Sequence, residues 1–397
     1  MHQSQTAPVT KLDMAASTLI YALSVVLLTV SPLLAGLYVD QVKLSISEVG
    51  WILSIEQSGA VVGALFAFWA TSRLRWKTLI ILASIVAILA NVATGWMAGF
   101  AALAVTRFVS GMASNTVTLV TSCLLARSPQ PDRAFGAGLL VSCVINALWV
   151  WLLNTARQTL GYEATIGSGA LLFAIAILLS LFLPKDASGS KETSQFGAAT
   201  TSDRTGSAWP ARAGLAGLVL FGISLNIVWG FVERLGSANG LSSNDVAWAL
   251  GLGLLTSGLG ALAPALLGDA GSRVRMLFIT TFVLFTGLSL TWWSHDVIMF
   301  TVSVSLLAGA WNMGLAYYMA QTSSNDGSGH YTRAIYIAIA ASQSLGPALA
   351  AVLLERAKLV SVLVVSPIPA AIALGLVVLA ARNNRQIWTR RSIQNAR

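Results

Sequence analysis

The chain has 397 residues, of which 56% are hydrophobic and only 10% are charged. Soluble domains carry about 25% charged residues, so this composition excludes an ordinary soluble protein and indicates a chain solvated by lipid. The formal net charge of +9 does not indicate a nucleic-acid partner, because the basic residues lie in short loops and in the C-terminal tail.

Apolar stretches long enough to cross a membrane fill most of the chain. A membrane-spanning helix needs about 20 mainly apolar residues. In chain order the sequence predicts twelve, called spans 1 to 12 here: 15–39, 49–71, 78–97, 100–126, 134–154, 164–183, 213–235, 246–267, 275–293, 297–321, 331–354 and 359–381. The period of two residues that marks membrane barrels is not found, so the predicted fold class is an all-α integral membrane protein.

Basic residues divide unequally between the loops on the two sides of the membrane. With a cytoplasmic N-terminus, 18 of the 24 Lys and Arg residues fall inside, 5 fall outside, and Arg107 lies within a span. Cytoplasmic loops of membrane proteins are enriched in Lys and Arg. The sequence therefore predicts a multi-pass protein of the cell membrane with both termini cytoplasmic, and it favours a bacterial inner membrane.

A polar segment that begins at Pro184 divides the spans into six and six. Its richness in Ser, Thr, Gly and charge is typical of a flexible linker. The polar start of the chain has no cleavable signal pattern, so span 1 is expected to be retained. The predicted organisation is a cytoplasmic N-terminus (1–14), a first six-helix half (15–183), a cytoplasmic linker (184–212), a second six-helix half (213–382) and a basic cytoplasmic tail (383–397).

The two halves share an internal repeat. The stretch LSISEVGW at 44–51 aligns with LSSNDVAW at 241–248, an offset of 197 residues. At the same offset, the tripeptide GAL at 63–65 meets GAL at 260–262. One offset that links two separate stretches of the same helix pair predicts two pseudo-symmetric halves related by a parallel repeat.

Residue types that carry cofactor or catalytic chemistry are scarce. The only cysteines, Cys123 and Cys143, lie in apolar runs, and His2, His295 and His330 fall in predicted loops or the terminus. Phosphate-binding loops, dinucleotide turns, zinc motifs and nucleophile motifs are missing from the sequence. We therefore expect no metal, no cofactor and no enzymatic activity.

Several short motifs resemble those of the major facilitator superfamily, and the resemblance covers nearly the whole chain. The loop after span 2 reads ATSRLRWK, and its counterpart after span 8 reads LGDAGSRVR. Span 4 carries RFVSG, similar to the family's arginine motif, with Arg107 and Gly111. The loop positions that match the family's gating signature are Arg73, Arg75, Lys77, Gly268, Asp269 and Arg273. The first loop departs from it, since Ser72 stands where the signature has Asp.

This resemblance implies two six-helix halves that expose a central cavity to each side of the membrane in turn. In the family, spans 1, 4, 7 and 10 line that cavity, and spans 2, 5, 8 and 11 flank it. Span 5 reads GAGLLVSCVINALWVWLLN and lacks the proline-containing motif of drug–proton antiporters, which disfavours drug efflux. The stretches AWNMGLAYY, NDGSGHYTR and QSLGPALA resemble one bacterial subgroup with poorly defined substrates.

Charges deep inside a span are the strongest functional signals, because each is costly in lipid unless it is paired or hydrated. Glu56 in span 2 and Arg107 in span 4 both lie about 12 Å below the outer face, at ~1.5 Å per residue. We expect them to form a coupled pair that faces the cavity and serves coupling or substrate binding. The structural alternative is a satisfied pair that only locks two helices together.

Other polar residues are candidates for the same cavity. Glu233 and Arg234 at the outer end of span 7 are coupling or substrate candidates, although residues so near the interface can also snorkel to it. Stacking and hydrogen bonds to an organic solute suggest a set of aromatic and amide side chains as cavity lining: Asn146, Asn226, Trp311, Asn312, Tyr318, Tyr336 and Gln343. For each, membrane-interface anchoring or helix packing is the alternative role.

Three functional hypotheses follow. The favoured one is a monomeric secondary transporter that takes up a small organic molecule together with protons by alternating access, and Arg107 points to an organic anion. Proton-driven efflux of drugs or metabolites is the second. The third, from another class, is a non-transporting membrane sensor on the same scaffold.

Overall fold

The computed structural model describes residues 11–128, 130–183, 208–267 and 272–395. Within these ranges all regular secondary structure is helical, and twelve helices are long and apolar enough to cross a membrane. The predicted all-α class and the number of spans are therefore confirmed. The linker from 184 to 207, and with it Ser190, lies outside the described residues.

Seventeen helices, α1 to α17, form the spans within the described ranges. In the first half, span 1 comprises α1 (Lys11–Ser24), α2 (Val26–Thr29) and α3 (Ser31–Asp40), spans 2 to 5 are α4 (Ile46–Ala70), α5 (Trp76–Trp96), α6 (Phe100–Ala126) and α7 (Pro131–Thr159), and span 6 comprises α8 (Gly161–Gly167) and α9 (Gly169–Ser180). In the second half, span 7 comprises α10 (Trp209–Trp229) and α11 (Val232–Ala238), spans 8 to 11 are α12 (Ser243–Leu267), α13 (Arg273–Trp293), α14 (Val297–Ser323) and α15 (His330–Leu354), and span 12 comprises α16 (Ser361–Val365) and α17 (Pro367–Asn395).

Span 1 differs from the single predicted helix, because it is interrupted at Val25 and Val30. Pro32 stands in the first turn of α3. Proline has no N–H, and its ring clashes with the carbonyl four residues earlier, so it is tolerated at a helix start and disfavoured in a helix interior. The position of Pro32 therefore accounts for a new helix start at the outer end of span 1.

The helix boundaries reproduce the sequence repeat. Helices α4 and α12, α5 and α13, and α6 and α14 each begin and end 197 residues apart. The first pair also shares its start signal. Ser45 caps α4 in a reciprocal box with Glu48, and Ser242 exchanges the same hydrogen bonds with Asp245 at the start of α12.

The packing of the second span on the fourth is repeated as well. In the first half the Asn115 side chain donates to the Ala60 carbonyl oxygen at 2.7 Å. In the second half Asn312 donates to the Ser257 carbonyl oxygen at 3.0 Å, and both residues are shifted by 197. The expected pseudo-symmetry of the two six-helix halves is therefore confirmed.

The halves meet along two pairs of spans, 2 with 11 and 5 with 8. Ser47 donates to the Ala351 carbonyl at 2.9 Å near the outer end, and Ser58 contacts Ser344 at 2.7 Å about three helical turns further in. In the other pair, Asn154 donates to Asn244 at 2.7 Å, and the rings of Trp151 and Trp248 lie 4.8 Å apart. These contacts hold the halves together from the predicted outer face to mid-membrane.

Candidate functional site

Glu56 and Arg107 form an ion pair, as expected from their depth. Arg107 Nη2 donates to Glu56 Oε1, and the two side chains are 1% and 2% exposed for Arg107 and Glu56 respectively. Arg107 Nη1 donates to Asn91 Oδ1 at 2.9 Å, and Asn91 Nδ2 in turn donates to Ser110 at 3.1 Å. Spans 2, 3 and 4 are thereby joined by one buried polar network.

The polar neighbours of the pair all belong to the first half. Besides Asn91, its neighbours are Tyr38 and Tyr162, which lie within electrostatic range of Arg107. All of these belong to spans 1 to 6. Both side chains are buried in this conformation, and a cavity-facing orientation of the pair stays a prediction.

Hydrogen bonding in this network is incomplete. Glu56 Oε2, Arg107 Nε and the hydroxyl groups of Tyr38 and Tyr162 have no hydrogen-bond partner among the described residues. A buried polar atom without a partner is costly, and more so on a charged group. The free carboxylate oxygen is an atom on which a proton can bind.

The second half has no counterpart of this polar network. Gly253 and Val304 stand at the positions equivalent to Glu56 and Arg107, and they pack directly against each other. The positions equivalent to the remaining members are all leucines: Leu235 for Tyr38, Leu288 for Asn91, Leu307 for Ser110 and Leu359 for Tyr162. The scaffold therefore packs well without the charges, and their presence in one half calls for another reason.

Glu233 and Arg234 belong to a second cluster of charges, which joins the two halves at the predicted outer face. Arg234 donates to both carboxylate oxygens of Asp40, at 2.8 and 2.9 Å, and to Glu233 Oε2 at 2.5 Å. Arg157 bonds to Asp40 and lies 3.5 Å from Glu233. We call these four residues the outer charge cluster.

Electrostatics within the outer charge cluster favour the ionised form of Asp40. Partial burial of Asp40 would raise its pKa, but the hydrogen bond and charge of Arg234, together with the charge of Arg157, hold the pKa below its usual value. Glu233 is only 2% exposed, so it does not snorkel to solvent.

Sequence reasoning missed Asp40 and Arg157. Both stand at the ends of spans, where charges are ordinary and carry no signal by themselves. A usable signal was the repeat, because Glu233 is equivalent to Gly36 and Arg234 to Leu37. Because Glu233 and Arg234 have no charged residues at the equivalent positions of the first half, their charges indicate counter-charges on another span.

Some of the predicted cavity-lining residues make packing contacts, and others face the interior of the protein. The four described first make packing contacts. Asn312 locks span 10 to span 8, as described above. Tyr318 is fully buried beside Phe221, with ring centres 5.4 Å apart. Asn226 donates to a carbonyl of its own helix, that of Gly222, at 2.8 Å. Trp311 is half-buried next to the same glycine.

Asn146 and Gln343 form a related pair, because they are separated by 197 residues and so occupy equivalent positions on spans 5 and 11. Asn146 is 6% exposed, and its Oδ1 has no partner among the described residues. Tyr336 lies two helical turns before Gln343 and is 49% exposed. Gln57 on span 2, which sequence reasoning missed, is likewise buried with an unpartnered Oε1.

The gating-loop candidates are described in part. Gly268 and Asp269 lie outside the described residues. Arg73 stacks over Trp69 at 4.4 Å, Arg75 is exposed, and Lys77 donates to the Leu181 carbonyl in span 6 at 3.0 Å.

The corresponding loop of the second half is also tied to a neighbouring span. Arg273 donates to Ser324 at the end of span 10. Basic residues of both loops therefore fasten helices within their own half at the predicted inner face.

Two repeated six-helix halves that are joined at one face, the first of them with a buried ion pair, define a multi-pass α-helical membrane protein. A sequence model of the Major Facilitator Superfamily matches residues 14–351. The chain belongs to this family, as the motif resemblance indicated, and membership points to membrane transport rather than to an enzyme.

Individual relatives are distant. The MFS-type transporter YcaD of Salmonella newport (strain SL254), itself uncharacterized, is 23% identical over 257 residues, which are 64% of this chain and 66% of the relative. The match thus spans just under two thirds of that relative's length. YcaD of Salmonella typhi matches to the same extent.

Solved structures share the fold. A mutant of the nucleoside transporter NupG superposes with a TM-score of 0.74 at 13% identity, over 93% of this chain and 99% of that one. A bacterial homolog of the human lysosomal transporter Spinster gives 0.68 at 16%, over 96% and 98%. The xylose transporter XylE from E. coli gives 0.68 at 10%, over 91% and 97%.

Proposed function

We propose that this chain is a secondary active transporter that takes up a small organic molecule together with protons, and that Glu56 is the proton-binding residue. The observation that carries the proposal is the Glu56–Arg107 pair. It is the only pair of opposite charges deep within the described spans, it leaves Glu56 Oε2 without a partner, and apolar residues replace it in the second half.

The chemistry of the pair links proton binding to conformation. While both side chains are buried, Arg107 stabilises the ionised carboxylate, because the alternative is an uncompensated buried cation. When the movement of the two halves admits water to the pair, solvent can stabilise the guanidinium, and Glu56 then binds a proton at lower cost. Hydration of the pair in only one of the two open states would let Glu56 bind a proton from that side and release it to the other side when the buried pair re-forms.

The contacts between the halves support alternating access. Arg157 and Asp40 belong to the first half, and Glu233 and Arg234 belong to the second, so each half holds one acid and one base. Opening of the outer face would break the bonds between the halves but leave a neutral pair in each. The movement therefore leaves no charge without a partner, and this keeps the free energies of the states with the outer face closed and open close to each other.

Uptake is favoured over efflux because span 5 lacks the antiporter motif. Its helix α7 runs without interruption from Pro131 to Thr159, and its only proline is that first residue. NupG and XylE, which share the fold, are described as nucleoside and xylose transporters, in keeping with a small organic solute. An anionic solute has less support, since Glu56 already neutralises Arg107.

The remaining parts of the proposal concern the membrane topology, the cellular location and the oligomeric state of the chain. The distribution of Lys and Arg supports both termini in the cytoplasm, the lipid bilayer as the surroundings, and the bacterial inner membrane as the location. The outer charge cluster is complete within one chain, which supports a monomer as the working unit.

Reconstituted vesicles test the coupling. Vesicles carrying the wild-type chain are loaded from a cell metabolite extract with and without an inward proton gradient, and accumulated solutes are identified by mass spectrometry. We expect a gradient-dependent solute whose uptake loses its dependence on pH in Glu56→Gln but keeps it in Glu48→Gln, a change in the outer capping box. An unchanged pH profile in Glu56→Gln would show that Glu56 is structural.

A further inference from the structure

We propose that the transported solute is uncharged, and that amide side chains of spans 2, 5 and 11 recognise it at the boundary between the halves. This inference rests on the proposed transport function and specifies its substrate class. The residues concerned are Gln57, Asn146 and Gln343, with Tyr336 on the path from the predicted inner face.

The distribution of charge within the spans is the first argument. Within the apolar segment of each described span, every Lys, Arg, Asp and Glu except Glu56 and Arg107 lies within four residues of an end of that segment. Those two are 2% and 1% exposed and bind each other. The middle of the membrane therefore offers no free charge, and a charged solute there would be desolvated without a counter-ion.

The positions of the two glutamines are the second argument. Ser58 of span 2 and Ser344 of span 11 contact each other across the halves at 2.7 Å, and a glutamine precedes each serine. Because spans 2 and 11 run antiparallel, the residue before each serine lies on the same side of the helix pair. Gln57 and Gln343 therefore face one common space.

The exposed faces of span 11 show that this space is the interior. Large side chains exposed on its outer surface, Leu345, Leu349 and Val352, lie on the opposite side of the helix from Gln343. Tyr336 shares the Gln343 face, yet it is 49% exposed. Since that face points away from lipid, the exposure of Tyr336 marks an opening between the halves toward the predicted inner face.

The repeat places a third amide on the opposite wall. Asn146 occupies on span 5 the position that Gln343 has on span 11, and the equivalent of Tyr336 is Leu139, which is 43% exposed. Asn146 is 6% exposed with Oδ1 unpartnered, and Gln57 is 8% exposed with Oε1 unpartnered. Both present buried acceptor oxygens that have no hydrogen-bond partner in the described part of the chain.

The chemistry of these groups describes the solute. Unpartnered amide oxygens accept hydrogen bonds from O–H or N–H groups, and the amide nitrogens donate to carbonyl or hydroxyl oxygens. A neutral molecule with several such groups satisfies them on entry, whereas an apolar one leaves them unsatisfied. The structure thus fits a neutral, polyhydroxylated or amide-bearing solute.

The test uses full-length protein in vesicles loaded from a cell metabolite extract, with mass spectrometry to read the charge of each accumulated solute. We compare Asn146→Leu and Gln343→Leu with Asn146→Gln and Gln343→Asn, which keep the amide. The leucine variants should lose at least about tenfold in uptake, as expected for one lost hydrogen bond to a buried polar group, and the amide variants should retain most of it. Thermal unfolding of each variant in detergent shows that it is folded.

The outcomes separate this inference from the transport proposal. Accumulated solutes that are uncharged at the assay pH, and lost only in the leucine variants, support it. Accumulated solutes that carry a net charge, or neutral ones that folded leucine variants transport normally, overturn it and leave the transport function standing. If wild-type vesicles accumulate nothing beyond empty vesicles, the transport proposal fails and this inference fails with it.

Discussion

Gly36 and Glu233 stand at equivalent positions in the two halves, 197 residues apart, and they touch. A Cβ atom added to Gly36 would come within 2.5 Å of Glu233 Oε2. Two equivalent residues in contact must lie close to the axis that relates the halves. Gly36 of the first half has no side chain, and the Glu233 carboxylate of the second half occupies the space beside it.

This contact predicts the effect of a single methyl group. Gly36→Ala should displace Glu233, weaken closure of the outer face by about 1–3 kcal/mol as overpacking does, and increase thiol labelling of a cysteine placed at Ser47. Gly375→Ala is the matched control, because a Cβ there meets nothing within 4 Å. Equal labelling in the two variants would contradict the proposed role of the contact.

The bonds between Arg234 and Asp40 should be measurable by a double-mutant cycle. Asp40→Asn and Arg234→Gln should each favour the outward-open state, and the double variant should fall short of their sum by about 1 kcal/mol. The coupling is modest because Asp40 is 32% exposed and solvent screens the pair. Distance measurements between spin labels on spans 1 and 7 supply the populations, and strict additivity would argue against a direct bond.

The pKa of Asp40 predicts where outer closure is insensitive to pH. A carboxyl whose pKa is lowered in the closed state stabilises that state above its ordinary value, 3.8, and loses the contribution as pH falls through the lowered pKa. Closure of the outer face, read by the same labels, should therefore be constant between about pH 5 and 8. A transition within that window would mean that another group titrates in the cluster. Any pH dependence of transport there must come from elsewhere, and Glu56 is the proposed source.

The apolar contact of the second half can be transplanted into the first. Glu56→Gly alone should destabilise the protein by ~3–5 kcal/mol, because it leaves Arg107 buried without its partner. The double variant Glu56→Gly with Arg107→Val copies Gly253 and Val304 and should recover most of the lost stability, while transport no longer responds to pH. Thermal unfolding in detergent and vesicle uptake measure the two effects. A double variant less stable than the single one would show that the network is required for folding.

Membrane topology is testable by thiol accessibility in intact cells, in a background without Cys123 and Cys143. Cysteines at Ser190 and Ser392 should be protected from an impermeant reagent, whereas Lys43→Cys, in the exposed turn after span 1, should react. The reason is the excess of basic residues in the loops on the predicted inner side. Labelling at Ser190 or Ser392 would reject a cytoplasmic linker and tail.

The amino-acid sequence by itself determined the twelve spans, the repeat and the proximity of Glu56 and Arg107. Each follows from local information: apolar length sets a span, a constant offset of 197 aligns the halves, and distance along a helix sets depth in the membrane. For the same reason the helix starts at Ser45 and Ser242 could be read from adjacent residues.

Only the tertiary structure decided which residues face each other across spans. Asp40 and Arg157 become functional candidates through Glu233 and Arg234, which are remote in sequence and belong to the other half. Gln57 and Tyr318 make the same point. Gln57, which sequence reasoning did not single out, is buried with an unpartnered Oε1 among the described residues, and Tyr318, a predicted cavity residue, packs against Phe221 of its own half. Rotation of a helix about its axis is set by its neighbours, and an apolar membrane segment carries too little polar contrast to reveal it.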